Sequence, residues 1–223
     1  MEGDAAHHLG RVLRAQAGQL YELSDGQKVW LSRIESATRD RVQFSLLEEL
    51  PAVHSSVNIT LLLAVVKFDA FEWALEKATE LGVGVIVPLA AERSEKVLLA
   101  AAAKRCDRWK KILLEASQQS RRLSMPVLDG LAKPEIAFDS HKEGLRVILS
   151  ERATATPLRR VLQGRRVASA ILAIGPEGGW TDDEFSAASN AGFAEASLGR
   201  RILRTETAVV TALASLNFAL GDD

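Results

Sequence analysis

Two short segments near the C-terminus combine residue types that could bind a ligand and act on it. The first is GPEGGW at 175–180, where three glycines and a proline surround the carboxylate of Glu177. Glycine lets a ligand approach the backbone closely, and proline stiffens a turn. The second is LGRRILRTETA at 198–208, which combines three arginines with Ile202 and Leu203. One segment offers bare backbone and the other offers cations and apolar side chains, so a flat heteroaromatic ligand could lie between them.

Strands and helices are predicted on either side of both segments. ASAILAI at 168–174 predicts a strand, and Thr181 and Glu184 have the spacing of a capping box that opens a helix. EASL at 195–198 predicts a short strand, and a final helix is predicted over 206–220. Both segments therefore follow strands, and ligands of open α/β sheets bind at the carboxyl ends of the strands.

The preceding chain repeats the alternation of strand and helix. The apolar run at 57–66 is typical of a strand buried on both faces, and 69–82 has helical spacing with Asp69 and Glu72 as a capping box and Gly82 at its end. A strand at 83–89 completes a βαβ unit, and a helix at 104–120 and a strand at 145–150 follow. The pattern predicts an α/β class with a parallel sheet.

The N-terminal part of the chain has a pattern of short strands and not the alternation of strands and helices. Asp25-Gly26 lies between two β-like runs, which indicates a hairpin, and 41–47 predicts a third strand. The polar stretch 48–56 contains a proline and is interpreted as a linker. We therefore predict two domains, 1–56 and 57–223.

Composition excludes several classes of protein. The chain has 223 residues, a net charge of −1 and one cysteine, so no disulfide can form within it. No apolar run approaches the ~20 residues of a membrane span, the N-terminus lacks the apolar core of a signal peptide, and no P-loop or dinucleotide fingerprint occurs. The four histidines lack metal-ligand spacing with the cysteine. We expect a cytoplasmic protein without a metal.

Each of the two segments also has an interpretation without a ligand. A glycine-rich turn is typical of a tight connection between a strand and a helix. Ile202 and Leu203 could fill the core while the neighbouring arginines contact solvent.

A resemblance to a known family favours the interpretation in which the two segments bind a ligand. LAIGPEGGWTDDE followed by LGRRILRTETAVVTALA resembles the C-terminal signature of the SPOUT methyltransferase superfamily, and more narrowly the ribosomal RNA small subunit methyltransferase E family. HHLGRVLR at 7–14, KATELGVGVIVPLAAERS at 77–94 and EASQQSRRLSMPVL at 115–128 resemble the same family in the same order. The resemblance covers nearly the whole chain.

The resemblance implies a fold and an activity. The fold is an α/β domain with a C-terminal trefoil knot, preceded by a PUA-like β-barrel that binds RNA. The activity is methylation of N3 of a uridine in 16S rRNA of the small ribosomal subunit, with S-adenosyl-L-methionine as donor, by a homodimer. Family members usually carry a β-strand before the HH segment, and only six residues precede His7, so the barrel is expected to be incomplete.

The resemblance also implies roles for individual residues. Nine residues would bind the cofactor: Leu172, Ile174, Gly175, Gly178, Gly179, Leu198, Gly199, Ile202 and Leu203. Five arginines would contact RNA: Arg11, Arg14, Arg93, Arg121 and Arg122.

The implied reaction requires uracil N3 to lose its proton before it attacks the methyl group. Arg204 is the first candidate to stabilise the charge that moves onto the ring oxygens. Glu206 and Glu177 are weaker candidates for the base. Glu206 is equally well explained as an acid in the first turn of the last helix, and Glu177 could instead orient its loop.

The distribution of charge is compatible with an RNA partner. Residues 93–122 contain nine Lys or Arg against three Asp or Glu, and 141–166 contain seven against two. These segments could form a phosphate-binding surface, although solvated helix faces would have the same composition. Two alternatives stay open: another SPOUT enzyme that methylates the ribose 2′-oxygen, and an RNA-binding assembly factor without catalysis.

Overall fold

The chain forms two units, each of which is described separately. A computed structural model describes residues 1–12, 14–38, 40–51 and 57–221. Its contacts separate Met1–His54 from Ser55–Asp223. The predicted boundary near residue 56 lies outside the described residues and stays a prediction.

The N-terminal unit contains a three-stranded antiparallel sheet. Helix α1 (Gly3–His7) and a π-helical turn (His8–Val12) precede β1 (Leu20–Ser24), β2 (Val29–Ala37) and β3 (Val42–Leu50). The strands pair in the order β1-β2-β3. Ala6, Leu9, Ala15, Ile34 and Val42 form the core of this unit.

The predicted hairpin between β1 and β2 is confirmed. The Asp25 carboxylate accepts hydrogen bonds from the backbone N–H groups of Lys28 at 2.8 Å and Gln27 at 2.9 Å, and these bonds lower the pKa of the Asp25 carboxyl. The linker predicted over 48–56 is wrong at its beginning. β3 continues to Leu50, which pairs with Val29, because the backbone of 48–50 extends the ladder with β2.

The C-terminal unit is built on the parallel sheet that the sequence predicts. Its strands are β4 (Asn58–Ala64), β5 (Val85–Leu89), β6 (Val127–Leu128), β7 (Leu145–Leu149), β8 (Thr156–Pro157), β9 (Ser169–Ile174) and β10 (Ala194–Ser197). They are ordered β6-β5-β4-β9-β7-β10-β8, and all neighbours are parallel. The two-residue strands β6 and β8 are absent from the sequence prediction because two residues carry no periodicity.

Helices cover both faces of this sheet. They are α2 (Phe68–Glu80), α3 (Lys96–Ala102), α4 (Cys106–Gln119), α5 (Pro134–Ser140), α6 (Leu158–Leu162), α7 (Asp182–Asn190) and α8 (Thr205–Leu220). α2 packs against α4 and α8, and α5 packs against α7. Across the described part of the chain, no helix is long and apolar enough to cross a membrane.

Strand β4 shows why the central strands read as continuous apolar runs. Leu61 and Leu63 belong to one hydrophobic cluster, whereas Leu62 and Ala64 belong to another. Successive side chains of a strand point to opposite faces, so both faces of the sheet are buried. Because all the strands are parallel, their carboxyl ends and the loops that follow them lie along one edge.

One end of α2 agrees with the sequence prediction and the other does not. Gly82 adopts φ +86°, and the N–H groups of Gly82 and Val83 bond to Thr79 and Ala78, as in a Schellman motif. The capping box predicted from Asp69 and Glu72 is wrong. The N-cap is Lys67, without a side-chain hydrogen bond.

Glu72 is engaged by α4 instead of its own helix end. Its buried carboxylate accepts hydrogen bonds from Arg108 Nε at 2.7 Å and Arg105 Nη1 at 3.3 Å. The Arg105 guanidinium also lies 4.4 Å from the centre of the Phe68 ring. A buried carboxylate with two cationic partners is favoured over a helix cap that solvent can replace.

We predict that Arg105 and Arg108 stabilise the protein by neutralising Glu72. The double substitution Arg105→Ala with Arg108→Ala should lower the free energy of unfolding by about 2 kcal/mol, because it leaves a buried charge unpaired. Glu72→Gln should cost only about 1 kcal/mol, because the arginines remain partly hydrated. Urea denaturation measures both.

Lys111→Ala is the matched control, since Lys111 and Glu115 form an exposed pair at 3.8 Å. Its expected effect is below about 0.5 kcal/mol. A double variant no less stable than Lys111→Ala would contradict the assignment.

Candidate active site

The glycine segment forms a tight turn between β9 and α7. The Gly179 N–H donates to the Pro176 carbonyl at 2.8 Å, and Gly179 adopts φ +71°. Glu177 and Gly178 occupy the exposed corner of this turn. The turn therefore presents backbone and one carboxylate to its surroundings.

Trp180 lies beneath the turn and fixes its position. The residue is 5% exposed, and its Nε1–H donates to the Leu149 carbonyl at 3.1 Å. A Cβ added at Gly175 would lie 3.0 to 3.2 Å from atoms of the indole. A side chain at 175 would therefore have to displace the indole, and the indole joins the turn to the end of β7.

The predicted capping box at the start of α7 is confirmed. The Glu184 N–H donates to Thr181 Oγ1 at 3.2 Å, and the Thr181 N–H donates to Glu184 Oε2 at 2.8 Å. The first turn of a helix can offer free N–H groups to a ligand. The Thr181 and Glu184 amides are occupied within the box, so they do not serve that purpose.

The second segment begins with an irregular arm between β10 and α8, residues 198–204, and its last residues, 205–208, open α8. Ile202 is 80% exposed and Leu203 is half-buried, so Ile202 does not fill the core. Thr205 Oγ1 donates to the Gly175 carbonyl at 3.2 Å. This bond joins the end of the arm to the beginning of the glycine turn.

A third loop, at 150–152 after β7, was missed by the sequence analysis. The Arg152 guanidinium lies 3.8 Å from the centre of the Phe185 ring and pairs with Asp182. β7 lies between β9 and β10 in the sheet, which brings its loop between the other two. Strand order leaves no signal in local sequence, so this loop could not be assigned from the pattern.

These loops surround a cavity of about 610 Å³. The volume suits a nucleoside-sized ligand, since binding pockets span about 300 to 1,000 Å³. Five arginines line it: Arg93, Arg152, Arg200, Arg201 and Arg204. Three acids also line it: Glu151, Glu177 and Asp182. The excess of positive charge favours an anionic partner at the rim.

Most of the predicted cofactor residues meet at this cavity. Eight line it: Ile174, Gly175, Gly178, Gly179, Leu198, Gly199, Ile202 and Leu203. Leu172 does not, because it lies wholly buried within β9. Of the predicted catalytic residues, Arg204 and Glu177 line the cavity and are exposed, whereas Glu206 is half-buried in α8 and is not among the lining residues.

The arginines predicted to contact RNA have different surroundings. Arg11 and Arg14 are exposed in the N-terminal unit, and Arg121 is exposed with φ +55°. Arg93 lines the cavity and donates to the Gly178 carbonyl at 2.7 Å.

Arg122 has a structural role that the sequence prediction did not foresee. Its guanidinium donates to the carbonyls of Val83 at 2.7 Å and Thr79 at 2.8 Å, at the C-terminal end of α2. Burial lowers the pKa of Arg122. The geometry therefore favours a helix-capping role for this residue over the RNA contact that was predicted.

Models of known protein families match both units of the chain. A family model described as an RNA methyltransferase domain matches residues 53–217, and one described as an RNA methyltransferase PUA domain matches residues 2–47. The predicted PUA-like character of the N-terminal unit is thus confirmed.

Individual relatives match nearly the whole chain. The ribosomal RNA small subunit methyltransferase E of Synechocystis is 36% identical over 96% of this chain and 71% of its own length. The enzyme of the same name from Neisseria gonorrhoeae, solved bound to S-adenosyl methionine, is 33% identical with a TM-score of 0.90, over 100% of this chain and 92% of that one. A Legionella pneumophila methyltransferase in complex with the cofactor SAM is 34% identical with a TM-score of 0.87, over 99% and 91% of the two chains.

We predict that Gly175→Ala destabilises the fold by about 1–3 kcal/mol, because its methyl group would displace the Trp180 indole. Gly130→Ala is the matched control, since nothing lies within 4 Å of a Cβ at that position. The control should change stability by less than about 0.5 kcal/mol. Urea denaturation of the two variants gives the comparison, and equal stabilities would show that the indole yields without cost.

Proposed function

This chain belongs to the ribosomal RNA small subunit methyltransferase E family, and we propose that it methylates N3 of a uridine in 16S rRNA, with S-adenosyl-L-methionine as donor. The observation that carries the proposal is the cavity, because the loops after β7, β9 and β10 meet there. Relatives that share the fold across nearly the whole chain were solved with this donor bound.

The lining of the cavity fits such a donor. Gly175, Gly178 and Gly179 line the cavity with backbone alone, and Ile202 offers an exposed apolar surface for an adenine face. Leu198 and Leu203 are half-buried beside it. When bound, the donor supplies an electrophilic methyl group on a sulfonium. Every other contribution comes from side chains and backbone of the protein.

Two exposed side chains at the cavity can act on the uracil. The Arg204 guanidinium can donate to a ring oxygen, where negative charge develops as N3 loses its proton. Glu177 can accept that proton, and its place on the cavity lining makes it the better candidate for the base than Glu206. Positioning of N3 in line with the methyl group supplies the rest of the rate.

The RNA partner is supported by charge and by accessibility. Lys104, Lys110 and Lys111 expose positive charge along α4 and the turn before it. In paired RNA, N3 of uracil is engaged in the base pair. The target base must therefore lie in a single strand or be turned out of its stack.

We also propose a homodimer that uses α8, together with the trefoil knot formed by the C-terminal segments. Thr207, Ala214 and Phe218 are exposed along one side of α8, and Phe218 is 94% exposed. An exposed aromatic side chain on a largely apolar helix favours burial against a second copy. The knot is supported by the resemblance of the C-terminal segments 172–184 and 198–214 to the SPOUT signature.

The direct test is methylation of purified small ribosomal subunits with labelled donor, followed by nucleoside mass spectrometry. We expect 3-methyluridine. A ribose-methylated nucleoside would instead support another SPOUT activity. If the donor does not bind at physiological concentration, the result would support an assembly factor without catalysis.

We predict that Arg204→Ala lowers methyl transfer at least 100-fold, because charge on the uracil oxygen loses its cation. Affinity for the donor should change less than threefold by calorimetry. Arg204→Lys keeps the charge and should retain part of the rate. Near-normal turnover of the alanine variant would remove Arg204 from the mechanism.

We predict that Phe218→Glu converts the dimer to a monomer, because the substitution places a charge in the apolar contact. Sedimentation velocity measures the change. Val97→Glu is the control, since Val97 is a 79% exposed apolar residue on α3. A Phe218→Glu protein that stays dimeric would place the interface elsewhere.

A further inference from the structure

The segment 90–94, which follows β5, forms a short anchored turn beside the glycine turn. The Ala90 N–H donates to the Ala132 carbonyl at 2.8 Å, and the Ser94 N–H donates to the Ala91 carbonyl at 3.0 Å. Ala91 and Ser94 are both buried. The backbone of this segment is therefore fixed, and the side chain of Arg93 projects from a rigid base.

Glu184 joins this segment to the start of α7. Its carboxylate is buried, with the residue only 7% exposed. Oε1 accepts from the Glu92 N–H at 2.9 Å while Oε2 serves the capping box with Thr181. One side chain thus holds both the helix that follows the glycine turn and the segment that carries Arg93.

Arg93 completes the connection from the other side. Its Nη1 donates to the Gly178 carbonyl at 2.7 Å, across 85 residues of sequence. A Cβ added at Gly178 would lie 3.2 Å from Arg93 Cβ and 3.5 Å from its Cδ. The arginine stem therefore packs against the glycine backbone while the guanidinium holds the carbonyl.

We propose that Arg93 and Glu184 form a clamp that holds the glycine turn in the conformation that binds the methyl donor, so that Arg93 is a positioning residue and not an RNA contact. The inference rests on the proposed function of this cavity. A charged donor to a carbonyl makes a short and strong hydrogen bond. The turn has one internal backbone hydrogen bond, from Gly179 to Pro176, and the bond from Arg93 adds a restraint at its exposed corner.

The test compares donor affinity and RNA affinity in the same variants. Arg93→Ala should raise the Kd and the KM for S-adenosylmethionine about tenfold, with kcat at saturating donor within threefold of wild type. Arg93→Lys should recover part of the affinity, since its ammonium can still donate one hydrogen bond to the Gly178 carbonyl. The Kd for 16S rRNA fragments and its salt dependence should stay unchanged.

Lys96→Ala is the matched control, because Lys96 carries the same charge three residues further along, is exposed and is not among the residues that line the cavity. Its donor affinity should equal that of wild type. Glu184→Gln replaces one carboxylate oxygen with an NH2 group, which cannot accept from the N–H of Thr181 or Glu92, so it should weaken donor binding in the same direction as Arg93→Ala.

Two results would overturn the clamp. One is a donor Kd of Arg93→Ala within twofold of wild type. The other is an Arg93→Ala variant with weaker RNA affinity, a shallower salt dependence and unchanged donor affinity. That result would indicate that Arg93 contacts RNA. Wild-type protein that binds donor but does not methylate ribosomal subunits would count against the proposed function alone, because the clamp is measured by donor binding.

Discussion

The close packing of Gly175 on the Trp180 indole is the constraint on which the site depends. It sets the height of the glycine turn over the sheet, and the indole N–H holds the end of β7 at the same time. Thr205 holds the Gly175 carbonyl from the start of α8. Loops that lack regular secondary structure thus have main-chain carbonyls satisfied by side chains of other elements, which keeps them in one arrangement.

The arginines of this protein serve several purposes that a count of charges cannot separate. Arg105 and Arg108 neutralise a buried carboxylate, and Arg122 caps a helix. Arg152 packs on an aromatic ring at the cavity. The planar guanidinium has several donors and a face that stacks, so it suits all these environments. The positive surface left for RNA is consequently smaller than the composition of residues 93–122 suggests.

The same sequence spacing gave one correct and one wrong capping box. Thr181 with Glu184 forms the box, whereas Asp69 with Glu72 does not. Glu184 forms its box and also accepts the Glu92 N–H, whereas Glu72 accepts from Arg108 of α4 and from Arg105 just before it. Local spacing makes a cap available, and long-range partners decide whether it is used.

Local sequence was enough to predict the alternation of strands and helices, the tight glycine turn at 175–180 and the apolar character of Ile202, because each depends on neighbouring residues. The tertiary structure alone decided that β7 lies between β9 and β10, which brings Arg152 to the cavity. It also decided that Arg93 reaches the Gly178 carbonyl. Strand order and these contacts arise from pairing between distant segments, whose free energy depends on the packing of the whole sheet and leaves no periodic trace in the chain.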